Sequence, residues 1–246
     1  MRPAISAFPN LSFYRSALHD ATSVSARPPP PRSRFFTTPE SSITSTSAQS
    51  STPLPVAFVS HSGPESVNRR STLNRVEVDL ILEIVGDLLE RNPALDARDI
   101  GIISPYFAQT QLLLNTFESG WAAKRLARAL GRSRASELRG VEINTVDGFQ
   151  GREKKVIILS TVRSNKGGWI GFLTDKRRLN VALTRAKDAL FIVGNKATLR
   201  MAASNEWMET DPDSDPGIWR RFLMWCEQRG LVKDWNQEGG GATGQV

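Results

Sequence analysis

The sequence predicts an α/β fold in which helices cover both faces of a mainly parallel sheet. Two observations lead to this prediction: short apolar runs of strand type recur along the chain, and amphipathic helical patterns alternate with them. Strands that are apolar throughout are typical of parallel sheets buried on both faces. With 246 residues, 39% of them hydrophobic, the chain is long enough to bury the core of one domain, or two at most.

The first predicted strand is the apolar run at residues 54–60, and the first predicted helix spans residues 74–92. Within this helix the apolar residues recur at the spacing of one helical face. Asn74 and Glu77 stand in the relation of a capping box at its start, and Pro93 ends the pattern. The α/β region therefore begins with a strand and a helix.

The alternation continues to the end of the chain. The further predicted strands are residues 100–104, 141–146, 156–161 and 189–194, and the further helices are residues 107–118, 178–187 and 217–229, with a basic helical stretch at 121–139. Cys226 lies on the apolar side of the last helix, which predicts a core position rather than a reactive thiol.

Residues 22–55 differ in composition from the rest. They are rich in Ser, Thr and Pro and include a run of four prolines at 28–31. Such a composition offers too little apolar area to order itself, so we expect a disordered insertion. We also expect residues 236–246 to form a flexible tail.

Charge and composition narrow the function classes. A net charge of +7 and a pI of about 10.0 favour an anionic partner, which leaves nucleic acid, a membrane surface or bulk solvent open. Cys226 has no partner for an internal disulfide, and His19 and His61 are too far apart to suggest a metal cluster. No apolar stretch reaches the roughly 18 residues of a transmembrane helix. The Arg- and Ser-rich residues 1–36 have the composition of a mitochondrial transit peptide.

Polar residues follow the apolar runs, where ligands of parallel sheets gather. We expect them to cluster at one edge, with hydroxyls suited to phosphate oxygens and a helix-borne arginine suited to developing phosphate charge. Taken singly, each has a simpler explanation as a cap, a turn or a solvated side chain. The residues at these positions include Ser104, Tyr106, Thr145, Gly151, Glu153, Arg163, Asn165, Thr184 and Arg185.

Two long strings resemble a known family. Residues 144–153 (NTVDGFQGRE) with VIILSTVRSN resemble motif V of superfamily-one helicases of the nonsense-mediated-decay and senataxin type, and residues 177–187 (RRLNVALTRAK) resemble their motif VI. IGIISPYFAQ resembles motif IV. The resemblance implies a C-terminal RecA-like lobe at residues 56–235, with residues 1–21 as its start. It therefore implies that the N-terminal residues are helicase sequence rather than a transit peptide. It also implies that the protein is nuclear or cytoplasmic.

The resemblance also implies residue roles. Arg185 matches the arginine that reaches the γ-phosphate of ATP, which is bound with Mg²⁺, and Gly151 and Glu153 match positions near the ribose. The positions that match the single-strand track of RNA or DNA are Ser104, Tyr106, Thr145, Arg163, Asn165 and Thr184. Contacts to the phosphodiester backbone would give weak sequence preference and leave RNA and DNA as alternatives.

Departures from the family pattern limit the expected activity. The sequence contains neither a GxxxxGK[ST] phosphate-binding loop nor an Asp-Glu pair, and the Tyr-Arg pair of the family would precede Met1. We therefore expect a lobe cut at the lobe junction, which does not hydrolyse ATP alone and works with a first lobe in cis or in trans. The alternatives are a non-catalytic nucleic-acid-binding or interaction module, and a fragment that misfolds.

Overall fold

The computed structural model describes residues 1–19, 28–37, 54–68, 70–202 and 213–236. Its centre is a six-stranded sheet in which every neighbouring pair is parallel. The strands of this sheet are β1 (Val56–Ser60), β4 (Ile100–Ile103), β5 (Glu142–Asn144), β6 (Lys154–Ser160), β7 (Ala186–Gly194) and β8 (Val232–Asp234), in the order β5-β4-β6-β7-β1-β8. The predicted parallel α/β fold is confirmed.

Helices cover both faces of the sheet. One face carries α2 (Arg75–Arg91), α3 (Phe107–Glu118) and α4 (Trp121–Leu130), followed by the short α5 (Arg132–Ser136); the other carries α1 (Pro3–Phe13), α6 (Lys176–Thr184), α7 (Lys196–Met201) and α8 (Ile218–Glu227). All residues of β1 and β4 are buried, because apolar side chains meet them from above and below. Within the described ranges, no helix has both the length and the apolar character needed to cross a bilayer.

Four elements were not predicted from the sequence: α1, α7, β8 and a small antiparallel hairpin of β2 (Ser66–Asn68) and β3 (Ser71–Leu73). The hairpin is short and β2 is exposed, so no apolar alternation marks it. β8 has only three residues, and it pairs with β1. β8 thus depends on pairing with a distant segment of the chain rather than on a local pattern.

The capping box predicted at the start of α2 forms only in part. The Asn74 side chain accepts a hydrogen bond from the Glu77 backbone N–H at 3.2 Å, as expected. The Asn74 N–H, however, donates to the Gln109 side chain at 2.8 Å, and the Glu77 carboxylate turns into the core, where it is fully buried. Glu77 therefore contributes to a buried polar network instead of capping the helix.

The prediction that residues 22–55 form a disordered insertion is wrong for residues 28–37. Residues 28–37 pack against α2 and the sheet: Phe35 is buried, the Ser33 hydroxyl donates to Asp87 at 2.7 Å, and the Phe36 ring stacks on Phe191 at 4.8 Å. Two aromatic residues in this stretch supply the apolar area that the surrounding Ser, Thr and Pro lack. Residues 22–27 and 38–53 lie outside the described residues, as does the predicted tail from 237 onward.

Candidate functional site

The predicted site residues lie at two opposite edges of the sheet. Ser104 and Thr145 directly follow β4 and β5, and Arg163 comes three residues after β6, so these three lie at the carboxyl edge. Glu153 directly precedes β6 and Arg185 directly precedes β7, which places both at the amino edge. Because β6 has seven residues, about 20 Å separates the two edges. The expectation of one common edge is therefore wrong.

At the amino edge, Arg185 ends α6 and carries a charge without a carboxylate partner among the described residues. Its guanidinium donates to the Val181 carbonyl at 3.0 Å, the Arg152 carbonyl at 3.4 Å and the Thr184 hydroxyl at 3.1 Å. All three acceptors are neutral, so the positive charge stays available to an anion. Thr184, which was grouped with the nucleic-acid contacts, lies here beside Arg185.

Gly151 and Glu153 lie at the same amino edge as Arg185. Gly151 has a φ of +77°, a conformation that favours glycine, and the space where a Cβ would stand is open. Glu153 forms an exposed ion pair with Lys187 at 3.3 Å. The backbone N–H of Arg2 donates to the Lys187 carbonyl at 3.0 Å, so the first residues of the chain also lie here.

At the carboxyl edge, two adjoining clefts form what we call the edge groove. The first has a volume of about 320 Å³ and the second about 650 Å³, and they share Arg70, Ser71 and Phe107. The groove runs from the end of β5, across the hairpin, to the outer side of α3. Its other lining residues include Tyr106, Thr145, Phe172 and Arg178 in the first cleft and Arg75, Gln111 and Asn115 in the second.

The edge groove combines exposed aromatic rings with cations. Phe107 is 64% exposed and Phe172 is 59% exposed, unusually high values for phenylalanine. Arg70 and Arg75 have no ion pair among the described residues, and Arg178 pairs with the exposed Asp147 at 3.2 Å. Rings and cations together form a surface suited to unpaired bases and phosphates. Sequence reasoning missed both phenylalanines as site residues: Phe107 closely follows β4, whereas Phe172 lies well beyond the end of β6.

Arg163 is not a free phosphate ligand in this structure. Its Nε donates to the Glu65 carboxylate at 3.0 Å, and one guanidinium N–H donates to the Tyr106 hydroxyl at 3.4 Å. The same Glu65 oxygen accepts from the Ser164 N–H at 2.6 Å and from the Asn165 amide at 3.1 Å. Burial lowers the pKa of Arg163, but its contacts with Tyr106 and Glu65 raise the pKa by more than burial lowers it. The net pKa is therefore raised, and the ion pair stays charged.

Ser104 and Tyr106 are buried beneath the groove rather than exposed along it. They are 1% and 3% exposed, respectively, and the Ser104 hydroxyl accepts from the Tyr106 N–H at 3.3 Å. The Tyr106 hydroxyl donates to the Ile170 carbonyl at 2.8 Å, and burial raises its pKa. Of the predicted track residues, Thr145 lines the groove at its surface and Tyr106 forms part of its buried floor, whereas Ser104 and Arg163 contact Tyr106 and do not line the groove.

The backbone before Arg163 is held in an unusual conformation. Val162 has a φ of +70°, which is rare for a β-branched residue and stores about 1–3 kcal/mol of strain. The Glu77 carboxylate accepts the Val162 N–H at 2.9 Å, and the Asn74 amide donates to the Val162 carbonyl at 3.3 Å. Glu77 also accepts from His61 at 3.1 Å and from the Ser160 hydroxyl. This buried network fixes how the chain leaves β6.

Among the described residues, no group of three or more His, Cys, Asp or Glu side chains is arranged to hold a metal ion. The two edges instead offer cations, hydroxyls and aromatic rings. Their chemistry suits phosphate groups and bases.

Comparisons with known proteins agree with this chemistry. The model of the AAA domain family AAA_12 matches residues 1–197. The chain is 34% identical to the probable helicase MAGATAMA 3 of Arabidopsis thaliana over 93% of its length. It is 36% identical over 81% of its length to a regulator of nonsense transcripts 1 homolog of Neurospora crassa, and 31% identical over 94% to the ATP-dependent helicase upf1 of Schizosaccharomyces pombe.

The chain spans 24%, 16% and 21% of the lengths of these three relatives, respectively. The family model covers most of the chain, and the parallel α/β sheet agrees with a RecA-like fold. The chain therefore belongs to the AAA domain family AAA_12, as a motor domain of the C-terminal type found in helicases related to the nonsense-mediated-decay and senataxin helicases.

Proposed function

We propose that this domain is the second motor lobe of an ATP-dependent helicase, which holds single-stranded RNA or DNA at one edge and completes an ATP site at the other. The observation that carries the proposal is the placement of two different anion-binding surfaces on one sheet. The edge groove offers arginines and exposed phenylalanines, and the opposite edge offers Arg185, whose hydrogen-bond acceptors within the described part of the chain are all neutral.

At the nucleotide edge, Arg185 acts as the charged group. ATP with Mg²⁺, bound on a first lobe, supplies the phosphoryl group that is transferred to water. The Arg185 guanidinium stabilises negative charge that develops on that group, a contribution of about 10³–10⁵ in rate for arginine fingers. Gly151 and Glu153 lie on the same edge, where the Glu153 carboxylate can accept hydrogen bonds from ribose hydroxyls once it parts from Lys187.

At the nucleic-acid edge, the groove revises the contacts expected from the sequence. Arg70 and Arg75, which form no ion pair among the described residues, take the role of phosphate ligands, because the Arg163 charge is already paired with Glu65 and the Arg178 charge with Asp147 and Asp175. The Thr145 hydroxyl is available to a phosphate oxygen. Phe107 and Phe172 are exposed rather than part of the core, so their ring faces can stack on bases.

The two edges are linked through the sheet. β6 runs from Glu153 at the nucleotide edge to the strained Val162 at the nucleic-acid edge, and it lies between β4 and β7. A sheet packed on both faces moves as a unit, since its core does not deform continuously. Closing of this lobe on a nucleotide would therefore carry the edge groove with it, which is the step that a translocating motor needs.

Direct binding tests the nucleic-acid half of the proposal. Fluorescence anisotropy with a labelled oligo(U) or oligo(dT) should show saturable binding without ATP, and log K should fall linearly with log salt. The variant Arg70→Ser/Phe172→Ala should weaken binding, whereas Arg220→Ser on the opposite face of the sheet should not. Equal affinity of both variants and the wild type would contradict the groove assignment.

ATP turnover tests the other half. The purified chain should hydrolyse ATP at the background rate, and addition of a first lobe should raise that rate. Turnover by the chain alone that Arg185→Ala abolishes would contradict the need for a first lobe.

A non-catalytic nucleic-acid-binding module is the second candidate function, because the described residues of this chain form the whole groove without help from another lobe. Oligonucleotide binding together with no rise in ATP hydrolysis on addition of a first lobe would favour the module over the motor.

A further inference from the structure

Helix α4 presents a basic and aromatic face that the edge groove does not include. Trp121, Lys124, Arg125 and Arg128 stand at positions i, i+3, i+4 and i+7 of the helix, so they share one side of it. The opposite side packs inward: Ala122 is fully buried, and the Leu126 side chain lies against Gly86 of α2. The helix is therefore amphipathic, with its cations turned to solvent.

The charges on this face are only partly compensated. Arg125 forms an ion pair with Asp79 and places its guanidinium 5.2 Å from the centre of the Trp121 ring. Lys124 and Arg128 are exposed and have no ion pair among the described residues. Trp121 is 48% exposed, which leaves part of its ring open to a second contact.

The face begins where the edge groove ends. Arg75 lines the far end of the groove, and Asp79, one helical turn later on α2, contacts Arg125 on α4. Asn115 lines the same end of the groove on α3, and six residues later Trp121 begins α4. The ion pair of Asp79 with Arg125 thus joins the groove end of α2 to the cationic face of α4.

We infer that the exposed face of α4 is a second binding surface for the phosphodiester backbone. It adjoins the edge groove, and it holds the part of the single strand that extends beyond the sheet edge. This inference rests on the proposed function. The ten residues of α4 span about 15 Å, which extends the cationic surface beyond the groove.

A nucleic acid fits this face better than an acidic protein does. The face combines Lys124 and Arg128, which have no ion pair among the described residues, with the exposed ring of Trp121. Either partner offers anions to the cations, phosphates from a nucleic acid or carboxylates from an acidic protein, but only a nucleic acid also offers flat bases to the ring. Arg125, already stacked on that ring, keeps the indole in place for such a contact.

Oligonucleotides of two lengths separate this surface from the groove. An 8-mer fills the groove alone, whereas a 20-mer also reaches α4. For Lys124→Ser/Arg128→Ser we expect the affinity for the 20-mer to fall by about 2- to 30-fold, since each exposed charge contact is modest, with little change for the 8-mer. The slope of log K against log salt for the 20-mer should fall by about 1.4.

The matched control is Arg220→Ser/Arg229→Ser, which removes the same charge from the helix α8 side of the sheet and should leave both affinities as in the wild type. Equal 20-mer affinity of the two double variants would overturn the inference while the proposed function stands. So would an α4 variant that loses polyglutamate binding but keeps 20-mer binding, which would assign the face to an acidic protein. If the wild type binds neither length, the proposed function itself fails.

Discussion

Removal of the Glu77 carboxylate should destabilise the whole domain, although the residue lies outside the groove. Glu77 is fully buried and accepts hydrogen bonds from His61, from the Ser160 hydroxyl and from the Val162 N–H. The His61 Nδ1 accepts from the Gly63 N–H, so its hydrogen lies on the nitrogen that faces Glu77. In Glu77→Ala, His61 and Val162 each keep a buried donor that has lost this acceptor.

The magnitude follows from these contacts. Each unsatisfied buried donor costs about 1–3 kcal/mol, so the His61 and Val162 donors together cost about 2–6 kcal/mol, and we take the middle of that range. We therefore expect the free energy of unfolding to fall by about 3–5 kcal/mol, which for a chain of this size lowers the Tm by about 6–20 °C. Glu77→Gln keeps one carbonyl acceptor, so its loss should be about half as large.

Urea unfolding followed by tryptophan fluorescence measures the change. Glu90→Ala is the matched control, because Glu90 lies on the same helix but is exposed, and its substitution should change the free energy of unfolding by less than about 0.5 kcal/mol. If Glu77→Ala unfolds within 1 kcal/mol of Glu90→Ala, on the scale expected for surface substitutions, the argument from the buried network is wrong.

Substitutions elsewhere test the two edges and the core. In a protein that joins this domain to a P-loop lobe, Arg185→Ala should lower kcat by a factor of about 10³–10⁵ in a steady-state ATPase assay. The affinity for an oligonucleotide without ATP should stay unchanged, and a parallel loss of that affinity would contradict the separation of the two edges. Phe172→Ala should weaken oligonucleotide binding by about 1–3 kcal/mol in anisotropy titrations, with an unchanged Tm as the control. Gly151→Ala should lower the free energy of unfolding by about 1–2 kcal/mol in urea, because its φ is +77° although the space is open; equal stability would show that the loop relaxes. Burial raises the pKa of the Cys226 thiol, so a disulfide reagent should modify it only at the rate of unfolding, and rapid modification of the native chain would contradict its core position.

The helices and central strands were predictable because their patterns are local. The apolar spacing in α2 and the continuous apolar runs of β1 and β4 report burial that each segment carries in its own residues. Asn74 capped α2 as expected, but its partner Glu77 did not complete the box. A carboxylate three residues after a cap looks the same in the sequence whether it turns back to the helix or into the core.

The candidate site was predictable as a set of residue types and not as an arrangement. The sequence by itself determined the parallel α/β fold, the family and the presence of an arginine at the end of α6. Only the tertiary structure decided that Arg185 lies about 20 Å from the groove, and that Glu65 neutralises Arg163, 98 residues away in the chain. It also decided that Phe107 and Phe172 stay exposed. The reason is physical: local spacing sets which face of an element is apolar, whereas charge pairing and exposure depend on residues that only the folded sheet brings together.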